Sequence, residues 1–282
     1  MDRPALELAD IFRLYGPGYR QHYADRINSE QKRVMHAIEV CRTAVLGDHV
    51  DQCDRCGHRR ISYNSCGNRH CPKCQSLTKA QWLEKHQAQL LPVPYFHLVF
   101  TLPDGIASLA WLNKKVIYNI LFRAASETLR RIAADPKHLG AGIGFLAILH
   151  TWGQNLLFHP HLHCVVPGGG LSPDLQRWIS SRKRFFLSVR VLSRLFRALF
   201  LHYLQKAFSA GKLQFYGSLQ QLNDPKKFQL FLNPFRKPEC VVYAKPPFGG
   251  PMQVLDYLGH YTHRVAISNH RLVSLTDNVA FR

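Results

Sequence analysis

Along NSEQKRVMHAIEVCRTAV, residues 28 to 45, apolar side chains return at Val34, Ile38, Cys41 and Val45, a spacing that lines one face of a helix. Asn28 can cap its start, with Gln31 as the reciprocal partner of a capping box. On this phase Cys41 belongs to the apolar core rather than to a ligand set. The preceding segment is also helical, but Gly-Pro-Gly in LYGPGYRQHYADR is expected to break any helix between Tyr15 and Tyr19. After a cysteine-rich stretch, SLTKAQWLEKHQAQLL predicts a further helix, and the prolines of LPVPYF mark a boundary near residues 91–94.

Beyond that boundary the period changes. YFHLVFTL predicts a strand, and a helix is expected over about 112–134. GIGFLAILH (143–150) and HLHCVV predict a second and third strand. SVRVLSRLFRALFLHYLQKAF follows as a long amphipathic helix, and KLQFYG as a fourth strand. DPKKFQLFLNPF predicts a short helix, CVVYAK another strand, and MQVLDYLGHYTHRVAI a helix. The order β-α-β-β-α-β is that of a ferredoxin-like sandwich, an antiparallel sheet with helices on one face. The expected fold class is therefore α+β: an N-terminal helical and zinc-ribbon module over 1–91, then a ferredoxin-like domain over 92–282.

Charge narrows the partners. The 37 Lys and Arg residues against 18 acidic ones give a net charge of +19, a field that attracts polyanions. Nucleic acid is the expected partner. No cationic amphipathic helix points to a membrane surface, and no apolar run is long enough to cross one. The N-terminus lacks the pattern of a signal peptide, so a cytoplasmic, nucleoid-associated protein is expected. SSRKRFF supplies Arg182, Lys183 and Arg184 as candidate phosphate contacts, with Arg264 and Arg271 further along.

Five of the eight cysteines lie between residues 53 and 74, a clustering that favours metal over disulfides. Cys53 and Cys56 form one Cys-x-x-Cys, and Cys71 and Cys74 another. Two such turns facing one ion make a closed tetrahedral site of structural zinc. Cys66, His58 and His70 lie in the same segment and are possible replacements, or ligands of a second ion. A zinc deaminase is excluded, because no histidine has a Glu two residues on.

In FHPHLHCVVPGGG, His161 and His163 project from the same face of a strand and make half of a metal site. An ion there would keep open positions for phosphate oxygens. His159 and Gln154 are candidates for a third ligand. Tyr257 and Tyr261, four apart in LDYLGHYTHRVAISNHR, share a helix face and could act as nucleophiles. Tyr19 and Tyr23 have the same spacing, so spacing alone does not select the later pair.

A resemblance does. YNSCGNRHCPKCQ, FHLVFTLP, HPHLHCVVPGGGLS, VVYAKPPFGGP and LDYLGHYTHRVAISNHR, in that order, resemble the transposases of the insertion sequence ninety-one family. These are two-tyrosine members of the HUH (His-hydrophobe-His) endonucleases. The resemblance implies a zinc-binding N-terminal domain and a HUH nuclease domain. That nuclease would cut and rejoin single-stranded DNA, including end hairpins, during rolling-circle transposition. It implies that His161 and His163 hold Mg²⁺ or Mn²⁺ and that Tyr257 and Tyr261 are the nucleophiles. Family members continue past NVAFR, so a C-terminally truncated nuclease domain is expected. A non-catalytic DNA-binding remnant, or a relaxase or replication initiator, are the alternative readings.

Overall fold

Asn28 starts the second helix as its sequence predicts. Its side-chain oxygen accepts from the Gln31 amide at 2.8 Å, and the Gln31 side chain accepts from the Asn28 amide at 2.9 Å. The computed structural model describes residues 6–87, 90–152, 157–182, 186–236, 242–245, 253, 254, 257, 259, 265, 267–276 and 278–282. Helix α1 (Leu8–His22) packs against α2 (Ser29–Val40). Contrary to expectation, α1 runs unbroken through Gly-Pro-Gly. Pro17 costs one backbone hydrogen bond, but Gly16 is buried where a Cβ would lie 3.0 Å from the Glu39 carboxylate. The bare backbone lets the helices close, and Arg20 pairs with Glu39 at 2.6 Å across them.

Strands β1 (Asp48–Gln52) and β2 (Arg59–Tyr63) form a hairpin, followed by α3 (Pro72–His86). The contacts divide the chain into one unit of residues 1–88 with 257–282 and another of 89–256. The expected boundary near residues 91–94 lies close to the division at 88/89, and residues 257–282 make their contacts with the first unit. Two long-range hydrogen bonds tie these residues to α1. The Leu8 amide donates to the Asn269 side chain at 3.0 Å, and the Tyr15 hydroxyl donates to the Thr276 carbonyl at 2.5 Å.

The second unit carries a four-stranded antiparallel sheet. Its strands are β3 (Tyr95–Thr101), β4 (Leu146–Trp152), β5 (Phe158–Pro167) and, after the short pair β6 (Gly169–Leu171) and β7 (Trp178–Ser180), β8 (Val242–Lys245). The order β4-β5-β3-β8 is the ferredoxin-like one expected from the sequence. Leu98 and Phe100 of β3 and Leu162, Cys164 and Val166 of β5 point into the core. There they meet Ile117, Leu121 and Leu129 of α5 (Lys114–Ala134), which follows a short α4 (Ala107–Leu112). Leu192, Phe196 and Leu204 of α6 (Val189–Ser209) complete this core, and α7 (Pro225–Leu232) follows.

The fourth strand is not where KLQFYG placed it. Residues 212–216 are irregular, and Val242–Lys245 pairs with β3 instead. Leu213 and Phe215 are buried, which explains their alternation. The intervening Gln214 spends its backbone on Asn113: its amide donates to Asn113 Oδ1 at 2.7 Å, and its carbonyl accepts from Asn113 Nδ2 at 2.9 Å. An amide side chain thus replaces the ladder. Asn113 also separates the short α4 from α5, and α5 runs over the span where the sequence predicts a helix, 112–134, to within two residues.

The glycines after β5 are required by close approach. A Cβ on Gly170 would lie 2.3 Å from the Gly142 carbonyl oxygen, and Gly169 holds φ +156. Gly170→Ala is expected to lower the unfolding free energy by about 1–3 kcal/mol, as overpacking does. Urea titration against Gly144→Ala, whose Cβ would meet nothing within 4 Å, checks this. Equal stability of the two variants would contradict the tight approach. No helix among the described residues is long and apolar enough to cross a membrane.

Candidate metal centres and the tyrosine segment

On β5 the odd-numbered side chains face away from the helices, and register aligns other strands' residues with them. His150 of β4 lies opposite His161, and Val99 of β3 opposite His163. The ligand atoms of His150, His161 and His163 all lie within 4.8 Å of one another. His150 and His163 are buried, and His161 is half-buried.

Two hydrogen bonds bear on which nitrogens face inward. His161 Nδ1 lies 2.6 Å from the His159 carbonyl oxygen. A carbonyl only accepts, so Nδ1 carries the proton and Nε2 keeps its lone pair for a metal. His163 Nδ1 lies 2.8 Å from Nε2 of His97, a buried residue of β3, and the two rings stack at 5.0 Å. With His97 accepting there, His163 Nε2 is likewise left for an ion, the outer-partner arrangement common among metal-ligating histidines. Three neutral imidazoles fit a divalent ion with open coordination positions.

His150 and His97 were absent from the sequence candidates. His150 closes the very strand that the sequence placed beside HLH, so pairing those two strands as a hairpin would have found it. Of the third-ligand candidates, His159 shares the face, with its ring 5.4 Å from that of His161, but is outside the three-histidine group. Gln154 lies outside the described residues.

The first unit gathers four sulfurs: Cys41, Cys66, Cys71 and Cys74, all within 4.8 Å of one another. The Cys74 sulfur is 3.6 Å from those of Cys41 and Cys66. Zinc–sulfur bonds of about 2.3 Å at tetrahedral angles would set sulfurs about 3.8 Å apart. The donor set fits zinc. Cys41 ends α2, Cys71 caps the N-terminus of α3 with Pro72 behind it, and Cys74 lies in its first turn. Lys73 reaches back to the Cys41 carbonyl at 3.1 Å and pairs with Glu7 at 2.6 Å, both side chains nearly buried.

Without a cation the thiols of Cys41, Cys66 and Cys71 oppose one another. The bond from Cys71 holds the Cys41 thiol down to about 5, whereas burial pushes Cys66 up to about 11. Cys71 is raised by its bond to Cys41 and by burial. One negative charge excludes the next, and a divalent ion removes that conflict.

This grouping differs from the expected set. Cys71 and Cys74 come together as anticipated, but with Cys41 and Cys66 in place of Cys53 and Cys56. Cys41 is fully buried, as its helical phase predicts, and contributes its sulfur all the same. Hairpin geometry explains the exchange. The Asn64 amide donates to the Gly47 carbonyl and the Arg42 amide to the Asn64 carbonyl, which places Cys66 at the hairpin's base beside the end of α2. Cys53 and Cys56 sit at its tip, about 17 Å away at 3.4 Å per residue. Both are exposed, as are His58 and His70, neither of which joins the sulfur group.

Tyr257 is half-buried and belongs to the first unit, whereas Tyr261 lies outside the described residues. Of the basic candidates, Arg182 is exposed, and Lys183, Arg184 and Arg264 lie outside the described residues. Arg271 donates to the Arg282 carbonyl and lies over the Phe281 ring at 5.4 Å. A cavity of about 450 Å³ in the second unit is walled by Trp111, Phe158 and Tyr216. Trp111 and Tyr216 are exposed, and Lys114 lies 3.8 Å over the Trp111 ring.

Residues 144–282 match a family model described as a putative transposase, and residues 11–102 one described as a transposase zinc-binding domain. The chain is 63% identical over 283 residues to the putative transposase y4qJ of Sinorhizobium fredii, covering all of this chain and 71% of that protein. It is 37% identical over 134 residues to the transposase for insertion sequence element IS801 of Pseudomonas savastanoi pv. phaseolicola, covering 47% of this chain and 32% of that one. A solved structure of TrwC with a 27-mer DNA of recognition hairpin and cleavage site is 21% identical, over 48% of this chain and 53% of that one. Its TM-score is 0.32, too low to bear on the fold.

Proposed function

Because this chain belongs to the insertion sequence ninety-one family of transposases, we propose that it nicks and rejoins single-stranded DNA at element ends through a covalent tyrosine–phosphate bond, as a step in rolling-circle transposition. The observation that carries this reading is the three-imidazole group of His150, His161 and His163 on one sheet face. A divalent ion held there supplies Lewis-acid polarisation of a phosphodiester. Three nitrogen donors suit a transition ion such as Mn²⁺ better than Mg²⁺, which prefers oxygen.

Tyr257 and Tyr261 are the proposed nucleophiles. A phenol of pKa about 10 is mostly protonated near neutrality, so its attack needs a proton acceptor or a nearby positive charge. The tyrosine oxygen bonds to phosphorus as the bond to the 3′-oxygen breaks, and the tyrosine's proton leaves to solvent or to that oxygen. The phosphotyrosine conserves the phosphodiester's energy, so a later 3′-hydroxyl attack reseals the strand without ATP. Histidine placement on β5 serves this chemistry by fixing the ion, with His97 orienting His163 from behind. The net charge of +19 favours the DNA backbone. Trp111 and Tyr216 offer exposed faces on which unstacked bases can lie, with Lys114 near their phosphates. Zinc at Cys41, Cys66, Cys71 and Cys74 has a structural role, since four sulfurs leave no position for a reacting water. Thiols kept for zinc suit the reducing cytoplasm.

The test uses labelled single-stranded DNA from an element's ends with Mn²⁺ or Mg²⁺. A denaturant-resistant protein–DNA adduct is expected, retained at least in part by one of Tyr257→Phe and Tyr261→Phe and lost in the double variant. DNA binding with no adduct under either ion would overturn the catalytic reading and leave a DNA-binding remnant.

A further inference from the structure

The four-sulfur cluster leaves Cys53 and Cys56 without a role, and the turn that carries them is shaped as a metal knuckle. The Gly57 amide donates to the Cys53 carbonyl and the Cys53 amide to the His58 carbonyl, each at 2.9 Å. Gly57 takes φ +68, the left-handed conformation that closes the turn.

The hairpin's register adds a third donor. Gln52 is paired with Arg59, so one step further sets Cys53 opposite His58. Opposed residues of an antiparallel pair project from the same face, with Cβ atoms about 5 Å apart. All three side chains are exposed, so turning them onto a common ion needs only rotamer changes.

The hairpin itself calls for such a clasp. Every residue of β1 is exposed, and so are four of the five in β2. Val50, Ile61 and Tyr63 are each more than 40% exposed. A two-stranded ribbon with no buried face is marginal in water. Something other than a hydrophobic core must hold its tip closed.

We propose that the β1–β2 tip binds a second zinc ion through Cys53, Cys56 and His58, with the fourth position open to water. Its exposure makes this ion exchange faster than the one at the buried cluster. The proposal is independent of the nuclease reading, since neither the histidine group nor the tyrosines enter it.

The experiment is metal analysis of the whole chain purified under reducing conditions, with a coloured chelator to time zinc release. About two zinc ions per chain are expected, leaving in a fast and a slow phase. Cys53→Ser with Cys56→Ser should leave about one ion and only the slow phase, and His58→Ala should speed the fast phase at least about tenfold. Alkylation mapped by mass spectrometry tests the unaltered protein. Cys53 and Cys56 should resist labelling until the fast ion is removed, and should then label before Cys41, Cys66, Cys71 and Cys74. About one zinc per chain in the unaltered protein, or free labelling of Cys53 and Cys56 in the zinc-loaded chain, overturns the proposal. An unchanged fast phase in His58→Ala removes His58 from the ligand set.

Discussion

Replacing Cys74 with serine is expected to release the buried zinc ion and to unfold much of the first unit. Cys74 is the sulfur within 3.6 Å of two others, and its loss leaves three thiols to share one poorly closed site. An ion at the four sulfurs would hold the end of α2, the base of the hairpin and the start of α3 together. Besides Cys41, Cys71 and Cys74, the buried apolar residues of the surrounding cluster are, among the described residues, only Ala9 and Ile38. So small a core cannot replace a zinc ion, whose apparent binding free energy in small zinc modules is about 10–16 kcal/mol. Loss of protease resistance in residues 6–87, with zinc content falling by about one ion per chain, is the expected readout. Retention of both would remove Cys74 from the ligand set.

The second large effect is expected at His150. His150→Ala takes one of three imidazoles from the candidate catalytic ion, and nicking at fixed Mn²⁺ should fall on the order of 100-fold or more, since even outer-partner losses at metal sites cost 10–100-fold. Raising Mn²⁺ should restore part of the rate, because His161 and His163 still face the ion. Isothermal titration with Mn²⁺ separates this from misfolding, as weakened affinity should accompany an unchanged melting temperature. Nicking at the parental rate would mean that the third ligand lies elsewhere. His159 is the natural comparison: its carbonyl accepts from His161 and its ring lies outside the three-histidine group, so His159→Ala should cost far less.

The sheet was legible because its strands obey local rules. Alternation in β3 and β5 reports one buried face, and the βαββαβ order leaves few ways to pair the strands. KLQFYG misled because burial of Leu213 and Phe215 creates the same alternation without a ladder, and nothing local reveals that Asn113 takes the backbone of Gln214, about a hundred residues away. Gly-Pro-Gly misled for a related reason. A helix breaker was outweighed by the close packing that Gly16 permits.

The sites divide along the same line. His161 and His163 are neighbours in sequence and were visible as a pair, whereas His150 joins them only through strand register. Cys71 and Cys74 share a turn and were visible too. Their partners depend on where a hairpin's base and tip lie, which spacing between cysteines does not encode. Cys41 was recognisable as buried, but a buried thiol and a buried ligand have the same helical phase.

The bonds from Leu8 to Asn269 and from Tyr15 to Thr276 carry a consequence for biosynthesis. The unit begun first is completed last: α1 waits for acceptors that leave the ribosome after the whole sheet has been made. At about 5–20 residues per second, some 250 residues of synthesis leave the N-terminal helices incomplete for roughly 12–50 s. During that interval Cys41, Cys66, Cys71 and Cys74 are already outside the ribosome, and early zinc capture would protect them while residues 257–282 of their unit are still unmade. Zinc supply during translation, more than the stability of the finished chain, would then set the yield of correctly folded protein.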